Sequence, residues 1–172
     1  MNALHCSFRC FIIFMMAAAF PLYAQTLKST WGCFVPAGSG GEYQIDGKEP
    51  GAFKLTCRRI DGKGTGAWAS AVTGIDREMW SQNKLVFSVR GLNTTKIRLT
   101  PQISLLQDNK VVMRDGPHLF VSGTGWRDVV INLDSDFRLG DAACQIKQLK
   151  FCINITDWQP GESGGVELKN IR

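Results

Sequence analysis

The chain reads as an all-β protein built from two antiparallel sheets packed as a sandwich, and three observations lead there. Apolar residues alternate at period two through most of the hydrophobic segments. Those segments are rich in β-branched and aromatic residues, with glycine, asparagine and aspartate between them. No stretch carries an extended amphipathic helical pattern, so packed antiparallel sheets fit better than a parallel α/β sheet.

The first 24 residues stand apart from this pattern. Arg9 precedes an apolar run over 11–20, and Pro21-Leu22-Tyr23-Ala24 supplies a small-residue exit. The run is shorter than the ~20 residues a membrane span needs. The expectation is a cleaved signal peptide over 1–24, a single sandwich domain over 25–172, and a secreted or periplasmic location. Membrane contact is then confined to the transient signal peptide.

Within 25–172 the strands follow in order. Residues 30–35 form an early strand, and 36–41 a flexible turn. Phe53, Leu55 and Cys57 alternate with Lys54, Thr56 and Arg58, the mark of a half-buried strand. A loop over 61–66 leads into a strand over 67–72. Segments 84–89 and 96–105 have the most regular phase, with Leu85, Phe87 and Val89 on one face of the first. Pro101 marks an edge, bulge or strand end in the second. Segments 110–113 and 118–121 surround the Asp115-Gly116 turn signal. Val129, Ile131 and Leu133 alternate next, with Trp126 on the opposite parity. Strands over 149–155 and 166–171 complete the set, and 141–149 has room for a short turn.

Four cysteines follow the leader: Cys33, Cys57, Cys144 and Cys152. In an oxidising compartment they suit two disulfides with three possible connectivities, of which Cys33–Cys57 and Cys144–Cys152 is the simplest. Zinc is disfavoured, because the four include no Cys-x-x-Cys pair and His118 is the single histidine beyond the leader. The formal charge of +5 falls to +4 when Arg9 leaves with the leader. Charges of both signs are scattered without a dense basic run, which argues against nucleic acid and leaves weak attraction to anionic polymers.

The late words are the most specific. Trp126 to Phe137 runs as a tryptophan, alternating apolar residues, then Asp136-Phe137. Ile146-Lys147-Gln148-Leu149-Lys150-Phe151 and the terminal Leu168-Lys169-Asn170-Ile171 follow. This order resembles the galactose-binding-like β-sandwich superfamily, including jelly-roll carbohydrate-binding modules, most closely over 126–172. The resemblance implies a jelly-roll-like fold and a glycan or polysaccharide partner. One departure bears on metal: Lys169 stands where the terminal word often has aspartate, so calcium would have to rely on Asp46, Glu167 and backbone carbonyls.

Sugar rings offer apolar faces to aromatic planes, and their hydroxyls need polar partners around that plane. The five tryptophans, at 31, 68, 80, 126 and 158, supply the planes. Trp158 lies in a loop with Asp157, Gln159 and Glu162. Trp80 falls in the polar stretch 76–83, and Trp68 follows the glycine-rich loop. These three, with Asp157, Gln159, Arg114 and His118, form the expected ligand-binding set. Trp31 belongs to the core with Phe34 or Val35, and Trp126 to packing near a strand start.

Catalysis finds no motif. Glu42, Asp46 and Glu49 cluster in sequence, as do Asp134, Asp136 and Asp141, but acid–base pairs need facing geometry. His118 has no nucleophile partner pattern, and 61–66 lacks the spacing of a phosphate-binding loop. The expected function is a non-catalytic, cofactor-free carbohydrate-binding module. The alternative is a structural or interaction domain with a protein partner at the cell envelope. Asn93-Thr94-Thr95 and Asn154-Ile155-Thr156 also match the glycosylation pattern.

Overall fold

A computed structural model of the chain describes residues 30–49, 51–60, 66–75, 83–139 and 145–172. The expected signal peptide, Trp80 and Cys144 lie outside the described residues. Among the described residues eleven strands follow in chain order: β1 (Gly32–Phe34), β2 (Gly41–Asp46), β3 (Phe53–Arg59), β4 (Trp68–Gly74), β5 (Lys84–Gly91), β6 (Ile97–Gln107), β7 (Lys110–Asp115), β8 (Leu119–Val121), β9 (Arg127–Asn132), β10 (Gln145–Asn154) and β11 (Ser163–Lys169). A short helix, α1 (Leu133–Phe137), follows β9.

The strands make two antiparallel sheets. One runs β1-β4-β10-β6-β7, with β8 also on β6; the other runs β2-β3-β11-β5-β9. Each sheet turns its apolar parity inward. Leu55, Phe87, Ile131 and Leu168 come from one side, and Leu99, Ile103, Leu149 and Phe151 from the other, all at 1% exposure or less. Phe151 anchors the middle, with ring centroids 5.1 Å from Phe87, 5.6 Å from Phe53 and 5.8 Å from Trp31. Each such side chain contributes about 1.5–3 kcal/mol by leaving water. Trp31 belongs to this core, as expected, but without Phe34 or Val35, which are 55% and 41% exposed.

Pro101 sits inside β6 in the middle of a sheet, neither at an edge nor at a strand end. Its carbonyl accepts the Gly116 N–H at 2.8 Å. A strand residue's nitrogen and carbonyl point to the same side, so the proline nitrogen faces the break between β8, which pairs residues 97–99, and β7, which pairs 102–107. No ladder donor is needed there, and that makes a central proline tolerable. Across the β6–β7 hairpin, Asp108 and Asn109 both adopt positive φ, 49° and 61°. That is the turn whose twist suits a two-residue hairpin.

Other expectations need correcting. Of the short turn expected at 141–149, residues 145–149 belong to β10 and 141–144 lie outside the described residues; a helical turn not foreseen is α1. Asn132 caps α1, its side-chain oxygen accepting the Asp134 and Ser135 amides. β2 was not anticipated, because Glu42 and Gln44 alternate with only Tyr43 and Ile45 and both neighbours are polar-rich.

The expected disulfides are also overturned. Cys33, Cys57 and Cys152 are free thiols. Cys33 lies on β1 of the six-stranded sheet and is exposed. Cys57 lies on β3 of the other sheet and is buried, its thiol directed at the Gly164 carbonyl 3.6 Å away. Proximity along the chain does not bring residues of opposite sheets into disulfide range.

Candidate functional site

The outward parity of the six-stranded sheet differs from that of its partner. Reading across the strand register, Phe34 of β1 opposes Ser70 of β4, Ser70 opposes Cys152 of β10, and Cys152 opposes Thr100 of β6. A second row runs Trp68, Asn154, Arg98 and Phe120. A third runs Val72, Lys150, Gln102 and Asp115. By register these side chains share the outer side of the sheet, where Ser70 and Thr100, at 2% and 7% exposure, lie covered by their neighbours.

Phe34 and Trp68 form the aromatic rim of this face. Phe34 is 55% exposed, and its ring centroid lies 6.0 Å from that of Trp68 at a tilt of 44°. Local hydrogen bonds fix where Trp68 begins its strand: the Thr156 hydroxyl accepts the Ala67 N–H at 3.1 Å, and Ile155 N–H donates to the Ala67 carbonyl at 2.8 Å. Asn154 holds that corner by accepting the Thr156 N–H at 2.9 Å. Between this rim and Met113 lies a depression of about 270 Å³ floored by Ser70, Cys152, Lys150 and Gln102.

The floor is polar but largely self-restrained. Gln102 donates to Asp115 at 2.9 Å. Lys150 and Ser104 each reach the Met113 sulfur at 3.4 Å. Burial pushes the Cys152 thiol above its ordinary pKa, with Ser70 and the Arg98 charge pulling the other way. It is therefore a neutral, weakly polar floor residue. His118 joins at the end of the Thr100 row, its Nδ1 2.8 Å from the Thr100 hydroxyl. A ring, several hydroxyl or amide partners and two cations around an open groove suit an extended polar ligand with an apolar face.

The expected binding residues divide. Trp68 and His118 reach this face. Trp158 does not: it is 7% exposed, its indole N–H donates to the Lys96 carbonyl at 2.8 Å, and Gly164 packs against its ring. The loop aromatic expected at the surface is a core residue. Asp157 and Gln159 are exposed on that loop, where the Gln159 amide is taken by Glu162 at 2.7 Å. Arg114 pairs in register with inward-facing Ile103 and lines a separate rim depression with Asp136 and Arg138.

Phe34, Arg98, Gln102, Lys150, Cys152 and Asn154 were missed as site residues. Strand parity carried the signal for Phe34: once Trp31 is core, Phe34 three positions on must point outward. Trp126 also departs from simple packing. It is 37% exposed and held between Arg90, 4.7 Å from its centroid, and Lys169, at 4.1 Å.

Residues proposed for calcium do not converge. Asp46 and Glu167 both stand opposite Lys54 in register, on β2 and β11, which places the lysine between them. Glu167 is also engaged by Arg90 at 2.6 and 2.8 Å. Lys169, at the terminal position, adds a further cation over Trp126. This donor set does not fit a calcium ion.

By sequence, no protein-family model and no curated protein matches the chain. Solved structures do. The chain is similar to a family 11 carbohydrate-binding module from Clostridium thermocellum, in complex with a β-1,3-1,4-mixed-linked tetrasaccharide, at 16% identity and TM-score 0.53, covering 86% of this chain and 92% of that one. A second structure of a family 11 module, from the cellulosomal cellulase Lic26A-Cel5E of the same organism, gives 16% identity and TM-score 0.50 over 86% and 90% of the two chains. A structure described for the promiscuous specificity of carbohydrate-binding modules of the β-sandwich superfamily gives 10% identity and TM-score 0.51, over 86% of this chain and 60% of that one. At these identities the likeness is one of architecture, and the chain has the fold of the β-sandwich carbohydrate-binding modules.

Proposed function

We propose that the chain is a non-catalytic module that binds a polysaccharide along the outer face of the six-stranded sheet. The observation that carries this reading is the ring pair of exposed Phe34 and half-buried Trp68 beside an open groove with a polar floor. Trp68 and Phe34 supply apolar ring faces for a sugar ring, and Gln102, Asn154 and His118 supply hydrogen bonds to its hydroxyls. The mixed-linked tetrasaccharide bound by the similar family 11 module makes extended glucans the first ligands to test. Export by the N-terminal apolar segment would place the module where such polymers occur, outside the cytoplasm.

A glycan array probed with residues 25–172 tests the reading. Enrichment of one glycan family, lost in the Phe34→Ala/Trp68→Ala double variant with the fold intact by circular dichroism, is the expected result. Uniformly blank arrays from folded protein would favour a protein-interaction domain instead.

A further inference from the structure

The two outer faces treat charge differently. On the five-stranded sheet, acidic and basic residues oppose each other in register: Glu42 with Arg58, Asp46 with Lys54, and Glu167 with both Lys54 and Arg90. The Arg90–Glu167 pair closes to 2.6 Å. Such cross-strand pairs neutralise themselves.

On the grooved face, the cations have neutral neighbours. Arg98 stands between Asn154 and Phe120, and Lys150 between Val72 and Gln102. Among the described residues neither makes an ion pair with a carboxylate. The carboxylate on this face, Asp115, is opposite Gln102 and accepts its amide. Arg98 and Gln102 are four positions apart on β6, about 13 Å at ~3.3 Å per residue. The two cations therefore bracket the Ser70–Cys152–Thr100 row from either side, and Lys96 adds a third positive group 4.1 Å from the Phe120 ring at the far edge.

We infer that the groove takes an anionic glycan, one whose carboxylates or sulfate esters meet Arg98 and Lys150 while a ring lies against Trp68. This rests on the proposed glycan-binding function and names its ligand class. A guanidinium and an ammonium held on a sheet without a partner carboxylate are free to donate charge-assisted hydrogen bonds to a ligand's anions. The same two residues on a neutral glucan would meet hydroxyls alone.

The test compares polygalacturonate with its carboxyl-reduced polymer, and dextran sulfate with dextran, by affinity electrophoresis at low and high salt. At least one anionic polymer should bind about tenfold or more tighter than its neutral counterpart, with the advantage shrinking in salt. The Arg98→Gln/Lys150→Gln variant should lose that advantage. The Lys54→Gln/Arg58→Gln variant, with the same change in net charge on the opposite face, should keep it. Equal binding of the charged and neutral polymers, or equal loss in both variants, overturns the inference and leaves glycan binding standing. Failure of every polymer and every array glycan to bind overturns the proposed function as well.

Discussion

Trp68 and Trp158 each stand beside a loop in the sequence, Trp68 among alanines and Trp158 among polar residues, and the structure assigns them opposite energetic roles. Trp158 is 7% exposed and its indole N–H is bonded to the Lys96 carbonyl. Removing about 200 Å² of aromatic surface from the interior at ~25 cal/mol/Å² gives about 5 kcal/mol as an upper figure. Truncation of buried aromatics to alanine costs about 3–5 kcal/mol in general. Trp158→Ala should therefore lose about 3–5 kcal/mol by urea denaturation. Trp158→Phe, which keeps the ring but strands one hydrogen-bond acceptor, should lose about 1–3 kcal/mol. Trp68→Ala should cost about 1 kcal/mol or less in stability. It should nevertheless weaken binding of the array-identified glycan by about 1–3 kcal/mol, a 5- to 150-fold rise in Kd on the scale of interface anchors. Denaturation curves and titration calorimetry on the same three variants separate the two quantities. If Trp158→Phe were neutral in stability but abolished glycan binding, the placement of the two rings would be wrong.

Three further outcomes follow from particular contacts. Burial pushes Tyr43 from 10.0 up to about 12, and Tyr43 is the single tyrosine of residues 25–172. The unfolded state therefore releases a proton that the folded state keeps, and stability should fall as pH rises from about 10 towards 12. Tyrosinate absorbance should appear only at the upper end of that window, and a native titration near 10 would contradict the burial. The Cys57 thiol is likewise raised to about 12 by burial, whereas Cys33, though its thiol is also pushed up by partial burial, is exposed to reagent. Iodoacetamide near neutral pH should thus label Cys33 first and Cys57 only in denaturant, as read by peptide mass mapping. Gly165→Ala would place a Cβ 2.3 Å from the Leu55 carbonyl and 2.6 Å from Leu92. That substitution should destabilise the protein by roughly 1–3 kcal/mol or more, measured by thermal melting.

Much of the fold was legible because the signals are local. The alternation of Leu85, Phe87 and Val89, and of Val129, Ile131 and Leu133, marks strands whatever their neighbours. Trp126 falls on the solvent parity as expected from Val130, which is 62% exposed beside Ile131 at 1%. The proline in β6 misled because its cost depends on whether a partner strand needs its N–H. β8 and β7 happen to leave a gap at that spot. The disulfide pairing misled for a related reason: Cys33 and Cys57 are near in sequence but belong to different sheets.

The site was legible only in part. Trp68 and His118 could be singled out by residue type, and both reach the grooved face. Phe34, Arg98, Lys150 and Asn154 are scattered across 121 positions, from 34 to 154, and come together through the register of β1, β4, β10 and β6.

The sequence by itself determined which residues share a strand face, because a pleated strand reverses side-chain direction at every residue and that rule needs no knowledge of neighbours. It also determined that two such faces must be packed against each other, since each strand has one apolar side to hide. Only the tertiary structure decided which strands lie adjacent, and hence that the grooved sheet gathers an aromatic rim with Arg98 and Lys150 beside neutral neighbours while the other sheet sets acidic against basic residues. Strand order is set by contacts between distant segments, and that is where a core Trp158 and a surface Trp68 become different residues.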